Sequence, residues 1–284
     1  MLLDPAKKLA QDVKHALAQR PTPGNRLALR LADDILFRVS PHEFDSLRYP
    51  LHRFLRFSDP IGPTCAPVER IFTFWTGSNP MPEVRKRNLD RLEDISEIPV
   101  IRVTSENLPE WLVPDHPLHP AYEFLSLTHR SDYLRAYVLH HHGGGYSDIK
   151  APRGSWREAF TELRSRSNAW MVGYPEDSPL RLPALGGNLE LDLRRRFRHL
   201  VGSGAMIMRP RTPITGEWLA EVERRLDYFL PLLKRTPGGI RDESPDYAVG
   251  WTQLLADIMY PLSLKYSDRI IRDARLYPSS EDYR

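Results

Sequence analysis

Two aspartates, an arginine and a lysine fall close together in this chain: Asp132, Arg135, Asp148 and Lys150, within the stretch SDYLRAYVLHHHGGGYSDIK. Carboxylates beside a guanidinium suit a phosphate, a divalent metal or sugar hydroxyls. Whether these groups meet depends on the residues between them. Leu127, Leu134, Val138 and His141 recur at threes and fours, which predicts a helix. His140, His141 and His142 close it, at the end where a cationic or polarisable side chain suits the helix dipole. Adjacent helical residues point in different directions, so the three histidines are poorly placed to share a metal. Gly143, Gly144 and Gly145 stop the helix, since glycine accepts the left-handed geometry that follows a C-terminus. Tyr146 then opens a short extended run that delivers Asp148. The helix climbs about 15 Å from Asp132 to His142, and a strand from Gly145 returns roughly 10–17 Å. If the glycines reverse the chain, Asp132 and Asp148 end side by side. Arg135 lies three residues from Asp132, on the same helix face.

The flanking elements read as alternating strands and helices. Arg70-Ile-Phe-Thr-Phe-Trp75 is a continuous apolar run of the kind found in buried parallel strands. Ligands of open α/β sheets sit beyond the carboxyl ends of strands, so Trp75 is a candidate base-stacking surface. A charged helix over 83–94 and a strand over Ile98–Val103 imply a right-handed crossover. Asn107, in the next loop, is a candidate for a ribose or base contact. A helix over 157–165 leads to a strand over Ala169–Tyr174. Glu176 and Asp177 follow it as candidate acceptor-side acids or bases. Leu200–Met208 reads as a strand whose Gly202, Ser203, Gly204 and Ala205 permit close backbone approach. Helices are expected over 214–234 and 246–260, then a polar tail over 265–284 that folds over the site. The run Arg194–His199 reads as a solvated helix face in preference to a phosphate site.

Composition narrows the function classes. The 284 residues carry 40 basic and 37 acidic side chains, a net charge of +3, which is weak support for a polyanion partner and argues against nucleic acid. Hydrophobic residues make up 41%, too many for a disordered chain. One cysteine, Cys65, excludes an internal disulfide framework and fits a reducing compartment. No apolar run approaches a membrane span, and the N-terminus lacks the apolar core of a signal peptide. A soluble, cytoplasmic protein is expected. Residues 2–20 suit an amphipathic helix with Leu9, Val13, Ala16 and Leu17 on one stripe, and 26–38 a second. They form an expected N-terminal helical extension, 1–66, ahead of a main domain, 67–284. The 2–20 helix is read as packed on the domain in preference to lying on a membrane. The basic, aromatic segment Arg48–Phe57 is read as a solvated loop with core anchors in preference to a contact with acidic lipid headgroups, which would be compatible with peripheral association at the inner membrane face.

The central pattern also carries a resemblance. Ser-Asp, two residues, Arg, a helix, Gly-Gly, an aromatic and Asp-x-x, with FTFWTG upstream, resembles the DXD sugar-transferase family of GT-A fold. That family includes capsular polysaccharide synthesis proteins, yeast-type initiating mannosyltransferases and the large clostridial glucosylating toxins. The resemblance implies a Rossmann-like α/β fold with a mostly parallel central sheet flanked by helices. It implies a glycosyltransferase that moves a sugar from a nucleotide diphosphate sugar to a hydroxyl of a glycan or glycolipid, in synthesis of a bacterial surface polysaccharide. By the same resemblance Trp75 stacks on the nucleotide, Asp132, Arg135 and Tyr146 bind the donor, and Asp148 holds Mn²⁺ or Mg²⁺ on the diphosphate. Lys150 departs from the pattern, because it stands where the second DXD aspartate belongs. Asp148 and a residue elsewhere then hold the metal, or Lys150 itself neutralises the diphosphate, or the site binds a sugar nucleotide without turning it over. Alternation along the strand also allows a plain Asp148–Lys150 ion pair. The metal-dependent enzyme, with Asp148 and Lys150 at its catalytic centre, is the expectation carried forward.

Overall fold

The computed structural model describes residues 43–58, 65–240 and 245–279. The chain divides into two compact units, Met1–Asp45 and Ser46–Arg284. The helices expected over 2–20 and 26–38 lie outside the described residues. The second unit is built on a six-stranded sheet: β1 (Ile71–Phe74), β2 (Val100–Val103), β3 (Gly144–Ser147), β4 (Met171–Pro175), β5 (Val201–Met208) and β6 (Ile270–Arg272). The strand order is β2-β1-β3-β5-β4-β6. Pairings β1/β2, β1/β3 and β4/β6 are parallel, while β5 runs antiparallel to both β3 and β4. The sheet is therefore mixed but mostly parallel, as the alternating pattern implies.

Helices α1 (Glu83–Ser96), α2 (Leu127–His141), α3 (Arg157–Ser165), α4 (Gly187–Arg195), α5 (Pro213–Leu233) and α6 (Ala256–Lys265) accompany the sheet. β1 is apolar or small throughout and wholly buried, as a central parallel strand should be. A core cluster that includes Trp156, Phe160, Leu163, Val172 and Ile207 packs one region of the sheet. α2 is buried on most of its circumference, from Asp132 through Leu139. A helix buried all round carries no amphipathic stripe, so its polar residues must find partners inside the protein. Ser126 caps its start by accepting the backbone N–H of His129 at 3.2 Å. Residues 46–58 belong to the same unit, where Tyr49 and Arg48 both donate to Asp192 at 3.0 Å.

Two expectations from the sequence are corrected. The helix expected over 246–260 begins only at Ala256 and runs to Lys265. Upstream, Gly250 forms a turn in which its N–H donates to Gln253 Oε1 at 2.8 Å and its carbonyl accepts from Gln253 N at 3.0 Å. A local side-chain bond of this kind competes with helix formation. The tail over 265–279 is also more than a polar coil. It supplies β6, whose Ile270 and Ile271 pair with Met171 and Val172.

The reversal between α2 and β3 rests on left-handed glycines. Gly143 has φ +61° and Gly144 φ +95°. A Cβ at Gly143 would stand 2.6 Å from Pro210 Cδ and 2.9 Å from its backbone nitrogen. Gly186 has a similar φ of +70° but nothing within 4 Å of a Cβ. Gly143→Ala should therefore cost both the conformational strain and the clash, about 2–4 kcal/mol, and Gly186→Ala only the strain, about 1–2 kcal/mol. Denaturant midpoints of the two variants check this; equal losses would mean that the Pro210 contact yields freely.

Candidate active site

The carboxyl ends of β1, β3 and β4 and the start of β5 open on one large cavity of about 1250 Å³. Parallel strands place their carboxyl ends together, and the reversed β5 contributes its amino end to the same edge. Asp148 N donates to Gly204 O at 2.8 Å, which fixes the end of β3 against β5. Trp75, Asp132, Arg135, Tyr146, Asp148 and Lys150 all line this cavity. Six of the nine sequence candidates thus meet, while Glu176 and Asp177 are not among the lining residues. Neither is Asn107. Its side-chain amide donates to Arg102 O at 3.0 Å and accepts from Thr104 N at 2.8 Å, closing the turn after β2.

Arg135 is the hub of the cluster. The residue is 4% exposed. Nη2 stands 3.4 Å from Asp132 Oδ1 and 3.5 Å from Asp148 Oδ1, and donates to Tyr146 Oη at 2.6 Å. Nη1 donates to Ser203 O at 2.6 Å. The guanidinium carbon also lies 3.9 Å from the centre of the Tyr146 ring. Tyr146 passes the chain of bonds on, donating to Asp148 Oδ1 at 2.8 Å. Lys150 Nζ donates to the other oxygen, Oδ2, at 2.9 Å. The strand ends at Ser147, so a tight turn in which Lys150 N donates to Asp148 O at 2.6 Å, and not strand alternation, brings Lys150 to Asp148; the plain ion pair is present.

Charge and burial set the protonation states. Burial disfavours charge on Asp148, but the Lys150 ammonium and the Arg135 guanidinium outweigh it and hold the carboxyl below its usual range. Burial likewise works against the Arg135 charge, and Tyr146, Asp132 and Asp148 overcome it. The Tyr146 phenol is driven well above its ordinary value, chiefly by burial, so its proton stays in place. Glu176 is also buried, and Tyr260, which lines the cavity, donates to its Oε2 at 2.5 Å. Burial pushes the Glu176 carboxyl up, against the bonds from Tyr260 and from Asp177 N–H. Asp177 is exposed and pairs with Arg181 at 3.2 Å.

Whether a divalent ion would suit Asp148 is a matter of donors. Both of its oxygens already face cations or a donor hydroxyl, and Asp132 faces Arg135. Among the described residues no group of three His, Cys, Asp or Glu side chains could hold a metal. Repulsion between two unit charges 4 Å apart is about 4 kcal/mol at an effective dielectric constant of 20, and doubles for a divalent ion. The described residues around Asp148 therefore do not fit a resident divalent metal. The acids Asp242, Glu243, Glu281 and Asp282 lie outside the described residues. The histidine run is dispersed: His140 meets Thr215 Oγ1 at 3.2 Å and His142 meets Trp111 O at 2.8 Å. Burial, then the neighbouring His140 and His116, push His141 down to about 4.

Several cavity residues escaped the sequence reading. Tyr174, the penultimate residue of β4, accepts from Gly204 N at 3.2 Å through its hydroxyl. Arg85, on α1, lines the cavity and donates to Ile149 O at 3.2 Å. Trp251 and Ile240 line it while 67% and 60% exposed. Only Arg85 had a readable signal, its place in the first turn of a helix that follows the β1 loop. The tail reaches this edge too: the Tyr277 ring lies 4.6 Å from that of Tyr174.

Residues 56–148, about a third of the chain, match the family model described as capsular polysaccharide synthesis protein. The match takes in β1, α2 and β3 and ends on Asp148, so it spans the first half of the cavity wall. No curated protein matches the chain. Among the described residues no helix is long and apolar enough to cross a membrane.

The Glu176 environment yields a pH prediction. Its folded pKa lies above the ordinary 4.5, so its contribution to stability is fully present below that value and is lost as pH rises through the folded pKa. Glu176→Gln keeps an acceptor for Tyr260 and removes the titration. The variant should gain stability relative to wild type as pH rises above 4.5, read from urea midpoints across the pH range. A difference that stays constant with pH would show that Glu176 ionises without penalty.

Proposed function

We propose that this protein is a glycosyltransferase acting in capsular or other surface polysaccharide synthesis, with a nucleotide diphosphate sugar as donor and a glycan or glycolipid hydroxyl as acceptor. The observation that carries the reading is Arg135, buried between Asp132 and Asp148 at the strand ends of a cavity of about 1250 Å³. The partial match to capsular polysaccharide synthesis proteins supports the same class.

In this reading the nucleoside base lies on Trp75, whose Nε1 is tied to Asn79 O at 2.9 Å, so the indole is held at the cavity wall. Asp132 and Asp148 accept from sugar and ribose hydroxyls. Arg135 supports both carboxylates and, with Lys150, supplies positive charge near the diphosphate. The acceptor oxygen bonds to the anomeric carbon as the bond from that carbon to the β-phosphate oxygen breaks. The electron pair leaves on the nucleoside diphosphate, which takes up the proton of the acceptor hydroxyl. Preorganised cations facing that developing charge lower the barrier without reorganising. The protein works in the cytoplasm, on the inner side of the membrane. One observation favours a second reading, a sugar-nucleotide-binding protein that does not turn its ligand over: Lys150 occupies Asp148 Oδ2 at 2.9 Å.

Titration with a panel of nucleotide diphosphate sugars tests the donor side. At least one should bind, and Trp75→Ala should weaken it about 10- to 100-fold, the scale of one base-stacking contact. Release of nucleoside diphosphate on addition of an acceptor separates transfer from binding alone. A chain that binds no such donor is not this enzyme. On the acceptor side the exposed Trp251, beside Thr252 and Leu255 on the cavity wall, offers an aromatic face to a sugar ring. Trp251→Ala should raise the acceptor KM about three- to tenfold, in keeping with 0.5–1.5 kcal/mol for one aromatic contact, and leave donor affinity unchanged. A weakened donor instead would move Trp251 to the nucleotide side.

A further inference from the structure

We infer that the diphosphate is neutralised by the protein's own cations, with Lys150 in the position of a divalent metal, so that donor binding and transfer need no metal ion. This deepens the transferase reading and rests on it. Charge along the cavity supplies the first argument. Among the described residues four cationic side chains line it, Arg85, Arg135, Lys150 and Arg181, the last also paired with the exposed Asp177 at 3.2 Å, against two carboxylates, Asp132 and Asp148. A cavity that recruits a metal to bridge carboxylate and phosphate needs an excess of negative donors. This one already has the excess positive charge that a diphosphate requires.

Geometry supplies the second. Both Asp148 oxygens already have a partner, since Oδ2 holds Lys150 Nζ at 2.9 Å and Oδ1 receives the Tyr146 hydroxyl at 2.8 Å. Arg85 donates to the carbonyl of Ile149, the residue between Asp148 and Lys150, at 3.2 Å. Two cations thus flank one short segment at the end of β3. An ammonium is a compact point charge with three donors on a flexible stem, and it serves phosphates in that role. Lys150 is only partly exposed, at 18% of its side chain, and Asp148 fixes where its charge sits. The carboxylate that would be a metal ligand in the Asp-x-Asp pattern instead positions the ammonium. As the bond from the anomeric carbon to the β-phosphate oxygen breaks, the charge gathering on that oxygen meets Lys150.

The test uses the full chain with its donor, scored for binding by calorimetry and for nucleoside diphosphate release. Wild type should keep both within about twofold in excess chelator, with no gain from Mn²⁺ or Mg²⁺. Lys150→Ala should lower turnover by about 10²–10³, the scale for removing one preorganised charge-stabilising donor, and added Mn²⁺ should not restore it. Lys150→Asp, which recreates the second acidic position, should make any remaining turnover depend on added metal. Donor binding or turnover in wild type that chelator abolishes and Mn²⁺ restores overturns the inference while leaving the transferase standing. No donor bound under either condition removes the transferase reading, and the inference with it.

Discussion

The structure around the cavity depends on keeping one guanidinium charged where water scarcely reaches it. Arg135 is 4% exposed, and an unpaired charge at such a site would cost several kcal/mol. It is compensated from both sides in sequence. Asp132 comes from the preceding turn of α2 and Asp148 from the end of β3, with Tyr146 Oη and Ser203 O completing the shell. Those partners reach it only because the chain reverses after His142. The left-handed Gly143 and Gly144 make that reversal, packed against Pro210 and the backbone of Val68 and Arg70. The glycines, the buried helix and the short strand are one device with one electrostatic purpose.

Sheet topology carries that device to a ligand-sized opening. β1 and β3 are parallel neighbours, so Trp75 and Asp148 emerge at the same edge. β5 enters between β3 and β4 in the opposite sense. Its small residues let backbone replace side chain at the cavity floor. A Cβ at Gly204 would sit 3.2 Å from both Asp148 Oδ2 and Tyr174 Oη. The close backbone approach expected of Gly202–Ala205 is thus an approach to the acidic centre itself. Trp251 and Tyr260 line the same opening, so aromatic surface shares its wall with the charged centre.

What could be read from the sequence was local chemistry with a strong period. The helix 157–165 has the expected bounds. The convergence of Asp132, Arg135 and Asp148 followed from rise per residue and a glycine break. What could not be read depended on partners distant in sequence. Asn107 is as polar as any ribose-binding residue, and only the turn that it closes with Arg102 and Thr104 takes it out of the site. The segment around Trp251 has helical spacing, yet the Gly250–Gln253 bonds and the grip of Arg225 on Gln253 O fix it as turns. Trp251 is displayed at the cavity rim as a result. β6 has only three residues and draws its stability from β4, which no local pattern reveals.

Lys150 joins the two levels. As a residue type it breaks an acidic pattern, and read alone it suggests a lost function. In place it completes a chain of bonds running from Asp132 through Arg135, Tyr146 and Asp148 to its own ammonium. The two carboxylates and the two cations of that chain balance, so the cluster is stable without a ligand. A diphosphate in the cavity, as proposed, would add negative charge to a wall that also carries Arg85 and Arg181. The acids would then serve to hold cations in register, and the attraction for phosphate would come from the surplus. On the inference drawn above, Lys150 is a built-in cation at a position where the acidic pattern would borrow one.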